Sequence, residues 1–181
     1  MAFWSEFIVI VAVISSIKAV FGSGLGPSRL SVKCHSRLIV ECSCPPKWQL
    51  WGKACYLLSE TPATWDDSQS DCQAMGGKMA APRSQEEMTL MVELARNVDL
   101  KFYAWIACDD KVVEGSWDCD GQEGSEPFLA WHQGEPNNSE SQQDCAQIGQ
   151  GGMDDVSCDL SSRAFCARQA ACIHGLTHIR H

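Results

Sequence analysis

The chain is poor in positive charge: 14 Lys and Arg stand against 23 Asp and Glu, for a net charge of -9 over 181 residues. A surface so depleted of cations cannot neutralise a phosphate backbone, which argues against nucleic acid as a partner. Long apolar runs are lacking as well. The stretch from Phe7 to Ile17 is closed by Lys18 and is too short to span a bilayer. No pair of CxxC knuckles is present, and the nearest approach, Cys42-Ser43-Cys44, is too tight for zinc. There is no internal repeat and no low-complexity tract. No Ser, Cys or second His stands at a spacing that would make a nucleophile with His132, so an enzyme is not expected.

Cysteine, by contrast, is abundant. Eleven cysteines in a chain of this size fit an oxidising compartment. Residues 1–22 read as a signal peptide with small residues at Gly22 to Gly24 to receive cleavage, and both features predict a secreted protein; an uncleaved anchor is the alternative. The odd cysteine total leaves at least one thiol free or paired with another chain.

Residues 23–43 form a lead segment. The compact part starts with a hairpin closed by Cys44 and Cys55. Thr64 as N-cap and Gly76-Gly77 as stop bound a first helix. A second is predicted over "SQEEMTLMVELARN", where Ser84 and Glu87 make a capping box and Met88, Met91, Leu94 and Ala95 an apolar stripe. "KFYAWIAC" reads as a strand with Trp105 and Ile106 inside. Residues 109–143 are rich in Gly, Pro, Ser, Asn and acids and show little periodicity; such a long loop is functional or held by ligands. "DCAQIG", "DDVSC" and "RAFCARQ" read as three short strands.

In that order, the cysteine hairpin, the helix carrying Cys72, the "WIAC" strand, the acidic loop with "WHQGEPN", and then Cys145, Cys158 and Cys166 resemble the C-type lectin-like domain family. The resemblance covers about residues 44–169, leaving 170–181 as a C-terminal tail. It implies an α+β fold with two helices, two small antiparallel sheets and a long calcium-binding loop. It further implies the bridges Cys44–Cys55, Cys72–Cys166, Cys108–Cys119 and Cys145–Cys158.

The resemblance also assigns a site for Ca2+, a hard cation that takes six to eight oxygen ligands. Glu135 and Asn137 supply two, across a proline whose preceding bond is cis in the family. Gln143, Asp154 and Asp155 complete the set. Gln143 stands where the family has Glu, Asp154 where it has Asn, and Met153 where it has Trp; the charge lost at 143 is regained at 154. A second calcium site falls on Asp110, Glu114, Asn138 and Asp144, although Asp110 and Glu114 read equally well as solvated hairpin charges.

Two neighbouring sugar hydroxyls can replace water on such an ion, each needing a carboxylate to accept and an amide to donate. Glu135 with Asn137 serves one, and Asp154 with Gln143 the other. "EPN" favours mannose-type glycans; the reversed order of acid and amide at 143 and 154 keeps a galactose-type lectin as an alternative. A calcium-independent protein-binding or ice-binding module on the same fold is the rival, favoured by Met153. Asn137-Asn138-Ser139 is also a glycosylation sequon, and a glycan on Asn137 would block this site. Cys34, Cys42 and Cys172 remain outside the four family pairs. Whichever two pair, the third predicts a disulfide-linked homodimer.

Overall fold

The computed structural model describes residues 36–120 and 126–178, so the expected signal peptide and Cys34 lie outside the described residues. Local chemistry starts both helices. Helix α1 (Trp65–Ala74) begins where Thr64 Oγ1 accepts the Asp67 amide at 3.3 Å, with Asp66 and Asp67 against the positive end of the helix dipole. It stops at Gly76, whose φ of +75° suits glycine, and at Gly77, whose amide donates to the Cys72 carbonyl at 3.0 Å. A Cβ on Gly77 would lie 2.6 Å from the Ala167 carbonyl oxygen, so the backbone at Ala167 packs directly on this turn.

Helix α2 (Gln85–Arg96) is capped by Ser84, which accepts the Glu87 amide at 3.3 Å. The reciprocal half of the capping box is missing. Glu87 instead accepts from the Arg83 amide at 2.9 Å, from the Arg83 guanidinium, and from the Tyr56 hydroxyl. Burial pushes the Glu87 carboxyl up, and the bonds from Arg83 and Tyr56 outweigh it and hold the group below its ordinary value. Met88, Met91 and Ala95 of the apolar stripe are buried and Leu94 is partly so.

The strands are β1 (Ser36–Ser43), β2 (Gln49–Trp51), β3 (Ala54–Leu58), β4 (Lys78–Met79), β5 (Tyr103–Asp109), β6 (Asp118–Cys119), β7 (Cys145–Gly149), β8 (Gly152–Val156), β9 (Arg163–Gln169) and β10 (Ala171–His178). Two sheets result. One is the antiparallel ribbon β1–β10; the other has eight strands along the path β2-β3-β9-β5-β7-β8, with β4 on β9 and β6 on β5. Strand β9 pairs antiparallel with β3 and parallel with β5, which joins two small sheets into one larger one.

Strands β5 and β7 run through the core: Ala104 to Cys108 and Cys145 to Gly149 are buried throughout. Trp65 and Trp105 spend their indole N–H groups on the Ile106 and Ala63 carbonyls, both at 2.9 Å, so their rings are buried without an orphaned donor. Bridges Cys44–Cys55, Cys72–Cys166, Cys108–Cys119 and Cys145–Cys158 staple this body, and Cys42–Cys172 joins directly opposed residues of the ribbon. Cys72–Cys166 spans 94 residues of sequence; a loop of that size is worth about 4 to 5 kcal/mol in the chain-entropy model. No described helix is long and apolar enough to cross a membrane.

Candidate functional site

The long segment between β5 and β7 is irregular over most of its described length, yet it is tied down at several points. Cys108–Cys119 closes its first hairpin. Further on it runs beside β8: the Met153 amide donates to the Ala130 carbonyl and the His132 amide to the Met153 carbonyl, both at 2.8 Å. Met153 itself is fully buried, with its sulfur 3.3 Å from the Ala130 amide, and Trp131 turns edge-on to Trp117 at 4.6 Å between ring centroids.

Beyond this seam the loop folds over Asp155. That side chain is wholly buried on β8, where it cannot meet bulk water. Its two oxygens accept the Asn137 amide at 2.9 Å and the Asn138 amide at 2.6 Å. These charge-assisted bonds hold Asn138 at φ +41°, a left-handed conformation uncommon for residues other than glycine.

The strand and the loop thereby meet at one point. Oxygens of Glu135, Asp154 and Asp155 all lie within 4.8 Å of one another. Asn137 donates from Nδ2 to the Glu135 carboxylate, which places an amide and an acid side by side across the cis Glu135–Pro136 bond. Desolvation, then hydrogen bonding to Asp155, then the charges of Asp154 and Asp155 push the Glu135 carboxyl above its ordinary value. Asp154 is raised by desolvation and by Asp155, and His132 opposes the shift. Carboxylates that repel one another in this way gain from any cation placed among them.

Gln143 lies on the flank, its Oε1 engaged by the Ser139 backbone amide while its own backbone N–H donates to Asn138 Oδ1 at 3.2 Å. Nearby, Asn138 Nδ2 donates to Glu114, and the Asp110 amide donates to the Asp144 carbonyl at 3.1 Å, so the four residues expected at a second site are neighbours. Asp110 is 3% exposed; Oδ2 accepts the Gly115 amide at 2.8 Å, and Oδ1 has no hydrogen-bond partner among the described residues. Burial first, then Asp144 and Asp155, raise its carboxyl. Glu114 is raised by desolvation and by the charges of Asp110, Asp144 and Asp155. A buried carboxylate oxygen with nothing to accept from is suited to a cation.

Two contributions escaped the sequence. Asp155 is an anchor for the loop backbone as well as an acid of the cluster, and its bonds reach back 18 and 17 residues with no local signal. The seam at Met153 brings His132 beside the strand that carries Asp154; the small residues Gly151 and Gly152 were the available sign, since a Cβ on either would collide with residue 132.

Residues 61–168 match the family model for the lectin C-type domain. Among curated proteins, the C-type lectin domain family 4 member M of Symphalangus syndactylus is 32% identical over 134 residues, which are 72% of this chain and 31% of that protein. The chain thus spans about a third of the length of that relative. Among solved structures, the mouse scavenger receptor C-type lectin carbohydrate-recognition domain superposes with a TM-score of 0.63 at 24% identity, over 70% of this chain and 98% of that one. A calcium-independent type II antifreeze protein gives 0.61 at 27% identity, over 72% and 98%.

Proposed function

From the premise that this chain belongs to the C-type lectin domain family, we propose that it is a secreted, calcium-dependent carbohydrate-binding protein. The observation that carries the reading is the convergence of Glu135, Asp154 and Asp155 within 4.8 Å. Three mutually repelling carboxylates at one point destabilise the loop unless a cation joins them, and oxygen-only donors of this kind suit Ca2+. The unpartnered Asp110 Oδ1, with Glu114, Asn138 and Asp144 beside it, supports a second calcium. The signal-peptide reading of residues 1–22 and the disulfide-rich body support secretion.

When bound, calcium supplies coordination positions that two neighbouring hydroxyls of a pyranose can fill. The protein's part is to orient them. Glu135 accepts a hydrogen bond from one hydroxyl while Asn137 Nδ2 donates to the same oxygen, and these two side chains already lie within hydrogen-bonding reach of each other. Asp154 accepts from the second hydroxyl. The Ser139 amide holds Gln143 by its Oε1, and Nε2 of the same side chain is the donor for that hydroxyl. Mannose-type glycans on microbial or cell surfaces are the preferred ligands on the Glu-Pro-Asn order, with recognition in innate immunity as the setting.

A second reading has an observation of its own. Met153 is fully buried in the seam beside the loop, where its thioether offers calcium no oxygen donor, and the antifreeze neighbour reported above is described as calcium-independent. An ice-binding or protein-binding module is therefore the alternative. A glycan array run with calcium and again with chelator separates them: signal on mannose-bearing glycans that disappears in chelator is expected, and equal signal in both sinks the calcium mechanism.

A further inference from the structure

His132 is left unused by the calcium-dependent reading. Its backbone is fixed from both sides: the amide donates to the Met153 carbonyl at 2.8 Å, and the carbonyl accepts the Glu135 amide at 3.0 Å. The side chain is not fixed in this way. It is exposed, and neither ring nitrogen has a hydrogen-bond partner among the described residues.

Strand alternation sets where the ring goes. Met153 is buried, with Trp131 bridged to it in parallel, so its neighbours Gly152 and Asp154 face the other way, and so does His132, which follows Trp131. The glycines agree: a Cβ on Gly152 would lie 2.9 Å from His132 Cα, and one on Gly151 would lie 2.7 Å from its Nε2. The imidazole therefore covers the bare turn between β7 and β8, on the strand face that carries Asp154 about 7 Å further along. Its electrostatic effect reaches the Asp154 carboxyl. Gln150, the other residue of that turn, is spent on the Leu100 carbonyl through its Nε2.

We infer that His132 is a specificity-determining residue whose imidazole reads a second, neutral sugar residue, linked to the one that Asp154 holds. This subsite deepens the calcium-dependent reading and rests on it. An imidazole has two ring nitrogens and can donate to a hydroxyl or accept from it, and Gly151 and Gly152 leave no side chain of their own in the way. Charge selects a neutral residue. Glu135, Asp154 and Asp155 together outweigh one divalent cation, and the negative potential that remains disfavours a uronate or a sulfated sugar.

The test is isothermal titration in calcium with methyl α-mannoside and with its disaccharide, methyl α-mannobioside. The disaccharide should bind the unaltered chain about fivefold more tightly, as one added hydrogen bond allows, and His132→Ala should abolish that preference. His132→Gln, which keeps a donor and an acceptor on the side chain, should restore part of it. Affinity for calcium and for the monosaccharide should stay as in the unaltered chain, whereas a merely structural role would lower both along with the disaccharide. An undiminished preference in His132→Ala, a loss of calcium affinity in that variant, or a glucuronate-extended mannoside that binds more tightly than the neutral disaccharide would each overturn the assignment. If the unaltered chain bound neither mannoside in calcium, the calcium-dependent reading would fall and the subsite with it.

Discussion

Glu135 and Asp154 hold their protons more tightly in the folded chain than free carboxylic acids do, because desolvation and neighbouring charge oppose ionisation. A group whose folded pKa is raised contributes stability that is complete below its unfolded value and is lost as pH rises through the folded one. In chelator, thermal unfolding should therefore move to lower temperature as pH rises from about 4 toward neutrality, as far as these groups decide it. On the proposed reading calcium would bind the deprotonated set, so the calcium-induced rise in melting temperature should be large at pH 7 and nearly absent at pH 4; the same rise at both values would remove the carboxylates from the site. The proposed sugar preference is a separate matter and falls on Asp154 with Gln143. Gln143→Glu with Asp154→Asn keeps the net charge and exchanges donor for acceptor, and should sharpen preference for mannose over galactose. Competition by the two free sugars measures it, and an unchanged preference means that this pair does not set the choice.

The seam between the long loop and β8 depends on glycine. At Gly152, φ is +139° and a Cβ would sit 2.6 Å from the His132 amide nitrogen and 2.9 Å from the Ala130 carbonyl oxygen. Gly152→Ala should push residues 130–132 off the strand, cost about 1 to 3 kcal/mol, and weaken calcium binding by isothermal titration although no ligand is touched. How far such elements could be read from sequence depends on the range of the interactions that make them. Both helices were legible because Thr64 and Ser84 cap amides three residues away. The acids of the cluster were legible as acids, on their likeness to a family pattern. Glu87 was misjudged, since a capping box predicts a bond back to Ser84, whereas Tyr56, 31 residues distant, and Arg83 take the carboxylate. The joining of two sheets through β9, and the commitment of Gln143 to Ser139, arise from pairings that no local window contains.

Across the whole molecule five bridges use ten of the eleven cysteines, and the eleventh, Cys34, lies outside the described residues. Within one chain no cysteine is left to make a sixth bridge with it. Protein from a eukaryotic secretion host should run as a disulfide-linked dimer on non-reducing electrophoresis, and Cys34→Ser should convert it to monomer while Cys42–Cys172 persists. A monomer band from the unaltered chain refutes the dimer. Two linked sites would gain about 10² to 10⁴ in avidity on a surface that both can reach. The β1–β10 ribbon governs what a pull across its own two ends does. Ser36 stands opposite His178 and Cys42 opposite Cys172, so these two strand ends lie side by side at the open end of an antiparallel pair. Tension between them unzips the ribbon one rung at a time and then meets a covalent stop, so the stapled body beyond Cys42–Cys172 is shielded from mechanical stretching.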